Sequence, residues 1–218
     1  MFIYIEGNIG AGKTTFIEAL EKYLKEKNIK DGFIKREPVE QWLNTKDSTG
    51  KNLLEYFYED TIKYGFAFQM NAFISRTKDI LDLDKGKINF IERSVFTDKN
   101  VFMECNFQRK NISEIEYNIY QQWFDVFVDK FDLKADMYIY LKTSKDICDE
   151  RIMKRDRTGE SNIPLDYLEN LNKLHNTWLE KEKINGVKVL TIDASQDFIR
   201  EPEKLELEFD KILKELKK

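Results

Sequence analysis

Apolar and polar positions divide this chain into short apolar runs and longer amphipathic stretches. Phe2-Ile3-Tyr4-Ile5 is continuously apolar and β-prone, the signature of a strand covered on both faces. Similar runs predict strands over Phe2–Glu6, Gly32–Lys35, Ile88–Glu92, Asp136–Leu141 and Val187–Ile192. Between them apolar residues recur at helical spacing, as where Phe16, Leu20, Tyr23 and Leu24 share one face. Helices are predicted over roughly 13–28, 50–60, 65–84, 97–107, 113–131, 144–157, 165–182 and 202–217. Strands separated by helices long enough to cross over imply an α/β fold, a five-stranded parallel sheet with helices on both faces. No repeat, low-complexity tract or Pro/Gly linker marks a boundary, so residues 1–218 read as one domain. The amphipathic stretch from Glu114 to Phe124 suits either the sheet or a second subunit, and periodicity leaves both open.

The turn after the first strand changes the picture from fold to chemistry. Gly7 to Thr14 reads Gly-Asn-Ile-Gly-Ala-Gly-Lys-Thr, a complete G-x-x-x-x-G-K-[ST] phosphate-binding loop in its required strand–loop–helix setting. Gly7, Gly10 and Gly12 let successive N–H groups turn around a phosphate, and the helix N-terminus adds its dipole. The loop residues Gly7, Asn8, Ile9, Gly10, Ala11, Gly12, Lys13, Thr14 and Thr15 are therefore assigned to ATP phosphates. Lys13 reaches the outer phosphates and the Thr14 hydroxyl holds Mg²⁺.

Composition excludes more than it proposes. With 41% hydrophobic and 13% aromatic residues in 218, the chain is a folded globule. A net charge of −4 gives no support to a nucleic-acid-coating surface. No apolar run approaches the length of a membrane span. A strand beginning at Phe2 leaves no signal or transit peptide, and Cys105 and Cys148 lack metal-ligand spacing. A cytoplasmic setting with reduced thiols is the expectation.

Three further elements suit phosphoryl transfer. The strand over 88–92 ends in Glu92-Arg93-Ser94, where an open α/β sheet holds ligands. Glu92 can hold Mg²⁺ directly or through water, and Arg93 can fork onto a phosphoryl oxygen. In a lysine-rich chain, arginine persists at Arg151, Arg155 and Arg157. Arg151 and Arg155 share a helix face, and a basic helix end before a polar stretch suits a lid over the phosphates, about residues 154–163. Glu37 follows the second strand directly, and Pro38 holds it extended. A carboxylate there can aim an acceptor hydroxyl and take its proton. The sole histidine, His175, has no motif around it and reads as structural.

These residues together resemble the deoxyribonucleoside kinases, in the branch that takes deoxycytidine, deoxyguanosine or deoxyadenosine. The likeness runs from Glu6–Thr15 through Glu37-Pro38-Val39 with Trp42, Phe68-Gln69 with Arg76, Glu92 to Asp98, and Arg151-x-x-x-Arg155-x-Arg157 with Ile163 to Leu168. The resemblance implies a P-loop kinase fold with an arginine-rich lid, usually dimeric. It implies that Glu37 is the general base on the sugar 5′-hydroxyl and that Arg93 contacts it and the phosphoryl group, with Lys13 completing the catalytic set. By the same likeness Gln69 pairs with the base edge, while Tyr58 and Glu160 bind the 3′-hydroxyl, Tyr58 also crowding the 2′ side. Trp42 belongs to the nucleoside pocket, whose walls are Phe57, Tyr64, Phe68 and Phe102. Arg76 and Asp98 line its far edge, and Asp197 and Phe198 flank the donor adenine. Tyr64 stands where relatives often carry tryptophan, and Gly159 replaces an acidic lid residue.

The function expected is ATP-dependent, Mg²⁺-assisted phosphorylation of a deoxyribonucleoside, with deoxycytidine or a purine favoured over thymidine. Thymidine-accepting members of the family are typically uncharged where Arg76 and Asp98 stand. A thymidylate-kinase-like enzyme is one rival, although Glu-Arg-Ser stands where such enzymes carry an Asp-Arg-Tyr-type strand end. A GTP-dependent switch is another, but Asn44-Thr45-Lys46-Asp47 has the wrong order for a guanine motif.

Overall fold

The computed structural model describes residues 1–155, 163–195, 198 and 202–216. Strand β1 (Phe2–Glu6) leads through the glycine-rich turn into α1 (Lys13–Glu26). Next come β2 (Gly32–Lys35), α2 (Val39–Asn44), α3 (Leu53–Glu59) and α4 (Thr61–Leu81). Strand β3 (Ile88–Glu92) feeds α5 (Val95–Thr97), which continues through a π-helical segment (Asp98–Met103) into α6 (Glu104–Gln108). The chain then forms α7 (Glu114–Phe131), β4 (Met137–Lys142), α8 (Lys145–Arg155), α9 (Leu165–Ile184), β5 (Lys188–Asp193) and α10 (Pro202–Glu215).

All five strands are parallel in the order β2-β3-β1-β4-β5. Strand β1 sits centrally because all of it is apolar up to Glu6, and every one of its residues is buried. Its pleat divides the core. Tyr4 packs with Phe73, Phe124, Tyr138 and Trp178 under α4, α7 and α9. Ile3 and Ile5 pack with Phe16, Leu20, Phe90, Ile139 and Phe209 under α1 and α10. The ligand side is therefore the carboxyl end of the sheet, where Glu6, Glu37 and Glu92 leave β1, β2 and β3.

The differences from the sequence reading are local. Strands β4 and β5 each lie one residue later than expected. The helix expected over 50–60 begins at Leu53, because the Asn52 side chain and Glu55 form a capping box and Lys46 bridges Asn52. Helix α4 starts at Thr61, earlier than expected, where the Asp60 carboxylate accepts from the Lys63 N–H. Helix α2 was not expected. The helix end at 156–157 and most of the expected lid lie outside the described residues. Among the described residues no helix is long and apolar enough to cross a membrane.

Candidate active site

The glycine-rich turn is shaped from beneath as well as by its own residues. Gly10 has φ +76°, and a Cβ there would lie 2.4 Å from the Cys148 carbonyl oxygen of α8. A Cβ on Gly7 would meet the Leu141 carbonyl oxygen of β4 at 2.8 Å. The loop backbone thus rests directly on two neighbouring elements. Asn8 fastens its other side, donating from Nδ2 to the Leu168 carbonyl and to Asn172 Oδ1 on α9, each at 2.8 Å. Its side chain is turned to α9, and Ala11 is fully buried, so what either residue can offer a phosphate is its backbone N–H group.

Lys13 is buried and donates from Nζ to the Asn8 carbonyl at 2.8 Å and the Gly7 carbonyl at 3.3 Å. Burial, and then the Arg93 charge, push its ammonium down to about 7. Its neighbour Thr14 donates from Oγ1 to Glu92 Oε1 at 3.2 Å, and Glu92 Oε2 accepts the Glu37 N–H at 3.4 Å. The hydroxyl and carboxylate assigned to a metal are thus side by side, next to the loop.

Glu37, two residues beyond β2, meets two guanidinium groups through one oxygen. Arg76 Nη2 lies 2.5 Å and Arg93 Nε 3.2 Å from Glu37 Oε1. Arg93 reaches this position with a left-handed backbone, φ +61°, a conformation that costs a bulky residue free energy and is held here by its surroundings. Its N–H donates to the Ile5 carbonyl at 3.0 Å, its Nη1 to the Gly7 carbonyl at 2.8 Å, and its guanidinium lies 4.9 Å from the Phe102 ring centre.

The far edge is a buried ion pair. Arg76 Nε lies 3.2 and 3.1 Å from the two Asp98 carboxylate oxygens. Burial pushes the Asp98 carboxyl up to about 7, with the Arg76 charge opposing it. The Arg76 guanidinium also lies 5.0 Å from the Trp42 ring centre, and the Trp42 indole N–H donates to Ser75 Oγ at 2.8 Å. Phe57 and Phe68 stack at 4.6 Å. Two buried polar atoms on this wall, Gln69 Oε1 and Arg76 Nη1, have no hydrogen-bond partner among the described residues.

A cavity of about 800 Å³ joins these parts. It is lined by Ile9, Gly10, Gly12, Lys13, Thr14 and Thr15 on the loop side, and by Glu37, Glu92 and Arg93 at the middle. Trp42, Phe57, Tyr58, Phe68, Gln69, Arg76, Asp98 and Phe102 continue the lining on one side, and Arg151, Arg155 and Phe198 on the other side of the loop. Arg151 Nη1 donates to the Ala194 carbonyl at 2.8 Å, which fixes it beside Gly12.

Tyr64 is the expected pocket residue that falls outside this lining. Its ring packs 4.7 Å from that of Tyr56, with the Lys63 ammonium above it. Arg157, Glu160 and Asp197 lie outside the described residues. His175 is structural, as expected: it is buried, its ring is stacked on Tyr140, Nδ1 lies 2.8 Å from the Leu171 carbonyl, and burial pushes its pKa down to about 3.

Sequence reasoning missed Tyr167, which lines the cavity from α9, and Glu6 beneath it. The Glu6 carboxylate accepts from Thr97 Oγ1, and burial pushes its pKa up. A carboxylate immediately before the loop was the available signal for Glu6.

A family model described as deoxynucleoside kinase matches residues 3–217. The chain belongs to the deoxynucleoside kinase family. Among its relatives, a deoxycytidine kinase 2 from chicken is 35% identical, over 96% of this chain and 88% of that one. A probable deoxycytidine kinase of fowlpox virus is 40% identical over 90% and 80%. Human mitochondrial thymidine kinase 2 is 31% identical over 97% and 77%. The protein is a kinase that phosphorylates a deoxynucleoside from ATP. Family membership decides against both the monophosphate-kinase and the GTP-switch readings.

Proposed function

We propose that this deoxynucleoside kinase phosphorylates the 5′-hydroxyl of deoxycytidine or a purine deoxynucleoside in preference to thymidine. The Arg76–Asp98 pair in an aromatic-walled pocket carries this reading. With Gln69 Oε1 and Arg76 Nη1 both lacking partners among the described residues, the pocket offers a base edge one acceptor and one donor. Cytosine and adenine answer with an exocyclic amine beside a ring nitrogen. Thymine offers a donor and acceptor too, but its methyl group meets the edge that Arg76 and Asp98 fill. A methyl there takes room beside the pair and can hydrogen-bond to neither group.

Glu37 then orients the 5′-hydroxyl and takes its proton late in transfer, while Lys13 and Arg93 face the charge on the transferring group. Arg151 and Arg155 approach the donor phosphates from α8. Thr14 and Glu92 fit Mg²⁺, which favours one or two protein oxygens beside substrate phosphates. When bound, the ion would neutralise phosphate charge. A cytoplasmic setting and a homodimer complete the proposal. The dimer is supported by an apolar stripe along α7, where Ile115, Ile119, Trp123 and Val126 are exposed, beside exposed Ile74 and Leu81 of α4.

A panel of deoxycytidine, deoxyadenosine, deoxyguanosine and thymidine with ATP and Mg²⁺ tests the base choice. Thymidine should have the lowest kcat/KM. Thymidine turnover as efficient as that of the others would overturn the assignment of the choice to Arg76 and Asp98.

A further inference from the structure

The geometry points to Arg76 as a mechanical link through which the bound nucleobase sets the aim of Glu37, so that base identity is read in kcat as well as in KM. The inference rests on the assignment of Glu37 as general base. A single guanidinium spans the distance between the two jobs. Nε is held by both oxygens of Asp98, Nη2 lies against Glu37 Oε1, and Nη1 is buried with no hydrogen-bond partner among the described residues, on a side chain that lines the same cavity. Because the guanidinium is planar, these three nitrogens cannot be repositioned independently. Whatever satisfies Nη1 fixes the plane, and the plane fixes where Nη2 holds the Glu37 carboxylate.

The remaining surroundings leave the guanidinium one degree of freedom that matters. Asp98 anchors it at Nε, from the π-helical segment that follows α5, and Trp42 covers one face. Rocking about the Asp98 contact would carry Nη2 across Glu37. Arg93 also holds Glu37 Oε1, but through Nε at 3.2 Å, the longer of the two contacts. Phosphoryl transfer is sensitive to hydroxyl aim, and a misplacement of about 1 Å can cost roughly 10²-fold in rate. A base that gives Nη1 an acceptor should therefore lock the general base in place. One without that acceptor should bind less tightly and also react more slowly once bound. Binding energy at the base edge is in this way realised in the transition state.

The test compares deoxycytidine with 3-deaza-2′-deoxycytidine, in which C–H replaces the ring-nitrogen acceptor, each taken to saturation with ATP and Mg²⁺. Wild-type kcat should fall about tenfold or more for the deaza analogue. In Arg76→Met the two kcat values should agree within about twofold, both well below wild type, because nothing then connects the base to Glu37. Arg76→Met leaves the Asp98 carboxyl buried without its cation, so the Arg76→Met/Asp98→Asn double variant is measured beside it, with the same result expected. A wild-type difference confined to KM, or a kcat difference that survives in both variants, would overturn the link. Glu37→Gln separates this from the underlying reading. Normal turnover in Glu37→Gln would remove the general base itself, whereas a large loss of kcat there alongside a wild-type difference confined to KM would remove only the link.

Discussion

Lys13 shows how much a single residue's environment decides. Its ammonium is buried against the Gly7 and Asn8 carbonyls with Arg93 nearby, and is pushed down to about 7 from 10.5. Between those two values the unfolded chain carries the proton and the folded chain does not. The folded state is therefore penalised as pH falls through this window, fully so below about 7. A triphosphate supplies the countercharge that reverses the effect. Binding of ATP at about pH 8 should draw close to one proton onto Lys13, and much less at about pH 6, where it is already charged. Calorimetric titration in buffers of differing ionisation enthalpy reads the difference, and equal uptake at both pH values would refute it. Lys13→Ala should lower kcat by roughly 10³-fold, since a transition-state cation is lost; steady-state assays at saturating ATP measure this. That Lys13, Arg93 and Glu37 meet in one cavity could be read ahead because each sits at a fixed offset from a strand end or a motif. Tyr64 falls outside the cavity lining with its ring on Tyr56, a placement that nothing in the sequence gives. Asn8 occupies a position the loop motif leaves unspecified, and its tether to α9 depends on residues far along the chain.

At the level of elements, the loop and α8 behave as one piece. Gly10→Ala would put a Cβ 2.4 Å from the Cys148 carbonyl oxygen, a rigid backbone atom that moves only if α8 and its Arg151 move. The expected result is an ATP KM raised at least about tenfold along with the strain of a left-handed alanine, about 1–2 kcal/mol. Gly50→Ala is the control. Gly50 also has positive φ, +88°, but a Cβ there meets nothing within 4 Å. It should lower the melting temperature and leave the ATP KM alone; a similar KM rise in both variants would show that strain, not the clash with α8, is responsible. The number of strands was readable from apolar runs because the central three, β1, β3 and β4, are buried almost throughout; β2 and β5 at the sheet edges are only partly covered, and the spatial order of the five does not follow from runs alone. Helix α2 was not readable, because its six residues are too few to show a period. The π-helical turn at Asp98–Met103 was also hidden, as one widened turn leaves the apolar pattern of a helix almost unchanged.

For the molecule as a whole, the exposed stripe on α7 gives the proposed homodimer a specific test. Trp123 is 49% exposed and Ile115 67%, beside Ile119 and Val126. Trp123→Glu should convert the dimer to monomer in light scattering behind size-exclusion chromatography, with the melting temperature falling as the partner's contribution is lost. An unchanged mass would place any self-association elsewhere. The central position of β1 has a different kind of consequence. Its register partners are Phe90 on one side, for Ile3, and Met137 on the other, both made long after it. Until β4 emerges, β1 is an apolar strand with an open edge, the sort of surface on which incomplete chains aggregate. The phosphate loop shares that wait. Leu141 and Cys148 press against Gly7 and Gly10, so the floor of the loop is synthesised more than a hundred positions after its glycines. During synthesis the chain can carry its whole nucleotide motif and still have no place to hold a nucleotide.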